Sequence, residues 1–464
     1  MKALAGSLIL LFVLFPEFAL AQQTRGANLS PNLFGSVSQA TPVSGTISLS
    51  IADAIDRALK YNLGSVISEQ ESRVSKAARV RALSELLPKV NGSVSEIVQQ
   101  TNLAAFGFGG FPGQPPVVGP FSVFDARARY SQPVVDFRLL HELRAASERV
   151  EASNYSQQDV RELVALITTD LYLEAVAGAS RVDAARAQLK TAQAVYDRAM
   201  SLKESGVVPG IDVLRAQVQL QSQQQRVVAA ENELAKQKLN LARAIGLPQA
   251  QVFTQTDMFV TAPAALPALD QALAAALDSR ADYRRAASLV RAAEESRKAA
   301  MGRRLPSVQF NADYGDIGRN PAFSHGTMTL QGSLLIPIYT GERARAEILE
   351  SDALIEERKA EASNLRDRIE YEIRSANLDI QSAADQARVA QGARDLAQQQ
   401  LTQAQDRFAA GVANGLEVTQ AQEAVAGADE NYISSLYALN VAEASLARAM
   451  GAAEKTIKSF FGGR

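Results

Sequence analysis

Two stretches decide the fold: Gly206-Val207-x-x-Gly210-Ile211-Asp212-Val213-Leu214-x-Ala216-Gln217 and Gly411-Val412-x-x-Gly415-Leu416-Glu417-Val418-x-x-Ala421-Gln422. They are one pattern written twice, 205 residues apart (206 to 411). The same offset carries Leu241-Ala242-Arg243-Ala244-Ile245-Gly246 onto Leu446-Ala447-Arg448-Ala449-Met450-Gly451. The 40-residue step from Gly206 to Gly246 thus recurs without a gap, which chance does not readily supply. Upstream, Leu87-Pro88-x-Val90 matches Leu305-Pro306-x-Val308, and Pro133 matches Pro337. The chain reads as an internal duplication. The copies span 50–247 and 268–451, and a linker with Pro263 and Pro267 occupies 248–267.

Each copy is expected to run helix, strand, strand, long helix, helix. In the first, residues 51–86 carry helical periodicity, Ser50 and Asp53 form a capping-box variant, and Pro88 ends the helix. Strands follow at 88–104 and 119–135. A Pro-free segment, 138–205, spaces Leu143, Val150, Val164 and Leu171 in heptad-like fashion, with Val160 and Ile167 in a second register. A turn around Pro209 leads into a helix over 211–245. The second copy repeats this with a helix at 269–304, strands at 306–317 and 326–339, a long helix at 341–410 and a helix at 416–450. A long helix of this length extends ~100 Å. Two short helices stacked end to end match it. A globular domain has no use for such helices, so the object implied is a tube or rod.

Composition narrows the class. The 464 residues include no Cys, no Trp and two His, which excludes Cys/His zinc cages, disulfides, a thiol nucleophile and a lipidated N-terminal cysteine. Lys+Arg number 48 against 50 Asp+Glu, a balance that argues against a nucleic-acid binder. Lys2, the apolar run 4–15 and Ala19-Leu20-Ala21 read as a signal peptide over 1–21, so export is expected. Beyond it, no run approaches the ~18 apolar residues of a membrane helix. An N-terminal extension, 22–49, and a C-terminal tail, 452–464, flank the copies. His141 and His325 are isolated, and Gly107–Gly113 lacks the strand and helix of a phosphate loop. No nucleophile–base set is present, so neither an enzyme nor a cofactor is expected.

The strand regions alternate strictly. Val308, Phe310, Ala312 and Tyr314 oppose Gln309, Asn311 and Asp313; Met328, Leu330, Leu334 and Ile336 oppose Thr329, Gln331 and Ser333. Phe124, Ala126, Ala128 and Tyr130 oppose Asp125, Arg127 and Arg129. Gly/Pro-rich connections, 107–119 and 315–326, link them. A half-buried sheet of a soluble protein has this pattern. So does a barrel wall with lipid outside and water inside, and an exported chain with ten-residue strands and no other core favours the wall. Four strands cannot close a pore, because single-chain barrels begin at eight and an open edge in lipid leaves backbone groups unpaired. Several copies must share one barrel, although this reasoning does not set their number.

These residues resemble the TolC-type outer membrane efflux protein family. The likeness rests on the two Gly-Val-x-x-Gly motifs, the junctions Pro133-Val134-Val135-Asp136 and Pro337-Ile338-Tyr339-Thr340-Gly341, and Leu305-Pro306. The resemblance implies an α+β membrane protein. Long antiparallel helical hairpins would form a periplasmic α-barrel, and each protomer would give four strands to a transmembrane β-barrel shared by a homotrimer. It implies a passive conduit, in outer membrane lipid, of a tripartite efflux or type I secretion system, docked to a periplasmic adaptor and an inner-membrane pump. It places Gly206, Val207, Gly411 and Val412 at an adaptor-docking tip; the same glycines serve equally as left-handed helix caps. It places Asp212, Glu417 and Gln420 at a pore constriction, where a ring of carboxylates would favour cations. The two acids also read as favourable first-turn residues. Gln420, Phe408 and Ala413 replace an acid, an aromatic hydroxyl and an arginine of the family's closing lock. Two other classes remain open: a periplasmic adaptor, and a coiled-coil rod without a pore.

Overall fold

The computed structural model describes residues 31–37, 45–107, 115–263 and 266–461. The signal peptide expected at 1–21 lies outside them. The first half contains a 3-10 turn at Pro31–Phe34, β1 (Ile47–Leu49), α1 (Ile51–Tyr61), α2 (Leu63–Ser84), β2 (Lys89–Asn102) and β3 (Val117–Val135). It continues with α3 (Phe137–Glu204) and α4 (Gly210–Ala244). The segment expected as a linker carries β4 (Phe253–Gln255), and the second half holds α5 (Leu269–Ser279), α6 (Ala281–Gly302), β5 (Ser307–Gly318) and β6 (Ser324–Leu335). α7 (Arg343–Ala409), α8 (Gly415–Ala449) and α9 (Ala453–Phe461) close it.

Local chemistry explains the boundaries. Ser50 and Asp53 form a reciprocal capping box at α1. The single helices expected over 51–86 and 269–304 are each broken in two. Asn62 (φ −62°, ψ 135°) and Arg280 (φ −65°, ψ 122°) are extended, and each turns its side chain to the end of another helix. Asn62 is buried and its Nδ2 donates to Leu33 O (2.7 Å) and Ala244 O (3.2 Å). Arg280 is buried and its Nη1 donates to Ala449 O at 3.2 Å. Each thereby satisfies a carbonyl orphaned at the C-terminus of α4 or α8. The tail also holds α9, whose Ile457 enters the core, and β1 of the N-terminal extension pairs in parallel with β4 of the linker. The 315–326 connection is shorter than expected, since β5 runs to Gly318 and β6 starts at Ser324.

α3 is the axis of the helical layer. Near the sheet it packs on α2 and α6; near the far end it packs on α4 and α8. α7 packs on α6 and α8. The layer therefore runs α2–α3–α6–α7 in its upper half and α4–α3–α8–α7 in its lower half. Small residues allow the close approach: Ala145, Ala165, Ala175, Ala199, Ala404 and Ala421 are all buried. One window of α3 is apolar enough to span a bilayer, contrary to expectation, but 61% of it is buried. The apolar run around Val164–Ala177 is the middle of the helical core, where the Tyr172 hydroxyl lies within hydrogen-bond reach of two acceptors, Leu49 O (2.9 Å) and Asp257 Oδ2 (2.8 Å). The four long strands form one antiparallel sheet in the order β2-β3-β5-β6.

Candidate functional site

The sheet's two faces have opposite chemistry. On one, Val90, Tyr130, Ala312 and Leu330 are register partners across all four strands. On the other, Asn91, Arg129, Asp313 and Thr329 form the neighbouring row. A soluble sheet would hide the first row and wet the second. Here Val94 is 76% exposed, Met328 71% and Leu330 67%. On the polar face, by contrast, the side chains of Arg127 and Asp313 are only 15% and 23% exposed. Arg127 donates to Asp125 Oδ1 (2.7 Å) and Asp313 Oδ1 (2.6 Å), and Arg129 donates to Ser93 Oγ (2.7 Å). The polar side chains satisfy one another, while the apolar ones face outward with nothing to cover them. That inversion suits a wall between lipid and water.

Strand ends mark the wall's lower rim. Ile338 is 95% exposed and Tyr339 81%, just past β6. Apolar and amphipathic side chains of this kind sit at membrane–water interfaces. At the other end of the outward face, Asp316 and Glu96 interrupt the apolar rows.

At the far end of the helices lie the two turns. Both close with the same paired hydrogen bonds. Gly206 N donates to Lys203 O (2.9 Å) and Val207 N to Leu202 O (2.8 Å); Gly411 N donates to Phe408 O and Val412 N to Arg407 O, both at 3.0 Å. This is the Schellman motif. It demands a left-handed residue, and Gly206 (φ 72°) and Gly411 (φ 74°) supply it. The turns touch: a Cβ on Gly411 would lie 3.3 Å from Val207 Cγ1. Val207 and Val412 are mostly exposed at the tip.

The three expected constriction residues fall into two sets. Asp212 is buried between the hairpins, faces Gly415 at the start of α8, and accepts from Arg215 Nη1 at 3.0 Å. Glu417, which fills the matching place in the second Gly-Val motif, is half-exposed; its Oε1 lies 3.2 Å from Arg407 Nε. Gln420 is exposed one turn further on the same face of α8. Sequence reasoning missed Arg407, because the pair is closed by the turn geometry. It also missed Asn414, which caps α8 by accepting from Glu417 N at 3.2 Å, although Asn followed by an acid three residues on signals such a cap. Among the described residues no group of three or more His, Asp or Glu could hold a metal.

The sequence profile of the outer membrane efflux protein family matches residues 66–247 and again 272–452, and the chain belongs to that family. It is an outer membrane efflux channel, with its helices extending into the periplasm. The pyoverdine export outer membrane protein OpmQ of Pseudomonas putida is 24% identical over 339 residues, which are 71% of this chain and 70% of that protein. Among solved structures, the outer membrane protein VceC of Vibrio cholerae superposes with a TM-score of 0.76 at 16% identity, over 87% of this chain and 97% of its own. The CmeC outer membrane channel of Campylobacter jejuni gives 0.74 at 17% identity, over 92% and 93%. These two share the fold. Family membership sets aside the adaptor and the poreless rod.

Proposed function

We propose that three copies of this chain assemble into one channel, which conducts cargo passively from an inner-membrane pump and its periplasmic adaptor across the outer membrane. The two halves of the chain are, on this reading, copies of one unit, so a trimer presents six near-equivalent parts. One observation carries the proposal: a lone protomer ends in unmatched surfaces. β2 and β6 are open sheet edges. α4 ends the layer with Ile211, Leu214 and Val218 at least half exposed, and α7 ends it with Leu378, Val389 and Leu396 exposed. Head-to-tail contacts between identical copies cover all of them and close a ring. Cargo choice rests with the pump, since the polar face is mixed, with charge-balanced Asp125, Arg127, Arg129 and Asp313 beside the apolar pair Ile97 and Val123.

At the mouth, Glu417 and Gln420 are the constriction candidates, and Asp212 steadies the α4 tip against α8. Val207 and Val412, carried by Gly206 and Gly411, are the adaptor-docking candidates. Glu417→Ala should reduce cation selectivity in single-channel recordings, whereas Asp212→Ala should chiefly loosen the tip. If neither changes selectivity, the constriction lies elsewhere. For the assembly, detergent-purified protein should run as a heat-sensitive oligomer and conduct in planar bilayers. A monomer released from membranes without detergent would refute it.

A further inference from the structure

The protomer already contains one seam of the kind the ring needs. β3 and β5 come from different halves and pair antiparallel, with Tyr130 opposite Ala312, Ala126 opposite Asp316 and Gln132 opposite Phe310. The repeat maps β3 onto β6 through Pro133 and Pro337, and β5 onto β2 through Pro306 and Pro88. Both offsets, 204 (133 to 337) and 218 (88 to 306), are even, so each residue keeps its face of the sheet.

We infer that β6 pairs with β2 of the next copy in the register that the β3–β5 seam dictates: Leu334 opposite Val94, Leu330 opposite Val98, and Gly332 opposite Glu96. This rests on the ring proposed above and specifies its closure. Three observations support it. Val94, Val98, Leu330 and Leu334, each 60% or more exposed in one protomer, become two apolar cross-strand pairs. Gly332, whose Cβ would meet nothing within 4 Å, leaves room beside Glu96. The polar face also stays consistent: Arg129 opposite Asp313 becomes Ser333 opposite Ser95. The charged β3–β5 seam within each copy therefore alternates with an uncharged seam between copies.

A chain without cysteine makes the test direct. Leu334→Cys in one copy and Val94→Cys in another should form a disulfide, because directly opposed residues hold their Cβ atoms ~4.5–5.5 Å apart and a small strand movement closes this to the ~3.5–4.5 Å of a bridge. Co-expressing the two single variants and oxidising outer membranes should give a covalent dimer on boiled, non-reducing gels. Leu334→Cys with Gly92→Cys, or with Glu96→Cys, should cross-link at least fivefold less. Stronger linking to either neighbour, in a protein that still runs as a native oligomer, would overturn the register and leave the ring standing. No linking by any pair would also overturn the register, and a monomer on native gels would then refute the ring itself.

Discussion

At the scale of single residues, glycine recurs in the two matching motifs for two distinct reasons. Gly206 and Gly411 meet little beyond Val207, so their need is conformational only. Gly246 and Gly451 share the positive φ but are also crowded, their Cβ positions falling 2.5 Å from Tyr61 Cβ and 2.8 Å from Arg280 Cγ. Gly206→Ala should therefore cost about 1–2 kcal/mol of stability, and Gly451→Ala measurably more; equal losses in denaturation curves would show that crowding is irrelevant. The charges around Arg280 make a second prediction. Burial disfavours ionised Asp282, but the hydrogen bond and charge of Arg280 outweigh it and hold the carboxyl below its usual 3.8. A depressed native value means that its contribution is present above that pH and is lost as pH falls through the native value. Asp282→Asn should thus destabilise the fold at pH 7, and thermal melts of variant and wild type should converge in acid below about pH 4. A gap that persists into acid would exclude Asp282 as the titrating partner. Asp159 behaves oppositely: burial raises it despite Arg448, so its buried charge costs most at neutral pH.

At the scale of elements, the broken helices separate what the sequence announces from what it hides. Ser50 with Asp53, Pro88, Pro306 and the Gly-Val turns all mark boundaries through local chemistry, and the structure ends or starts elements there. Asn62 and Arg280 carry no such mark, because their reason is tertiary. Each abandons helical geometry to reach a carbonyl on α4 or α8 that is adjacent only after folding. The partners differ in kind. Asn62 makes neutral bonds, whereas Arg280 also pairs with Asp282 (2.6 Å) and Glu372 (2.5 Å). Asn62→Ala should cost about 1–3 kcal/mol through unsatisfied carbonyls. Arg280→Ala should cost about 3–5 kcal/mol, because it strands two carboxylates. Hydrogen exchange in the last turns of α4 and α8 would read each loss separately; no increase at α8 in the Arg280 variant would contradict the capping role. At the two helix turns, spacing alone makes Asp212 and Glu417 equivalent. Packing distinguishes them, since α4 turns Asp212 toward α8 while α8 turns Glu417 away from that contact.

At the scale of the whole molecule, the alternation in the strands implies two faces, and the low exposure of Arg127 beside the high exposure of Leu330 favours the Leu330 face for lipid. Leu330→Arg and Gln331→Arg test this on adjacent residues. A charge on the lipid face should cost about 2–4 kcal/mol near mid-membrane and sharply lower the assembled protein recovered from outer membranes. The same charge next door should be tolerated. Equal recovery of the two would reverse or erase the sidedness. The remaining consequence comes from α3 and α7, which are unbroken while their short companions are jointed at Asn62 and Arg280. A strut ~100 Å long works as a lever arm. Tilting its anchored top by about one degree swings its free end by about 1.7 Å, roughly the helical rise of one residue, so in the proposed ring the width of the distant opening is geared to the slope of the staves where they leave the bilayer.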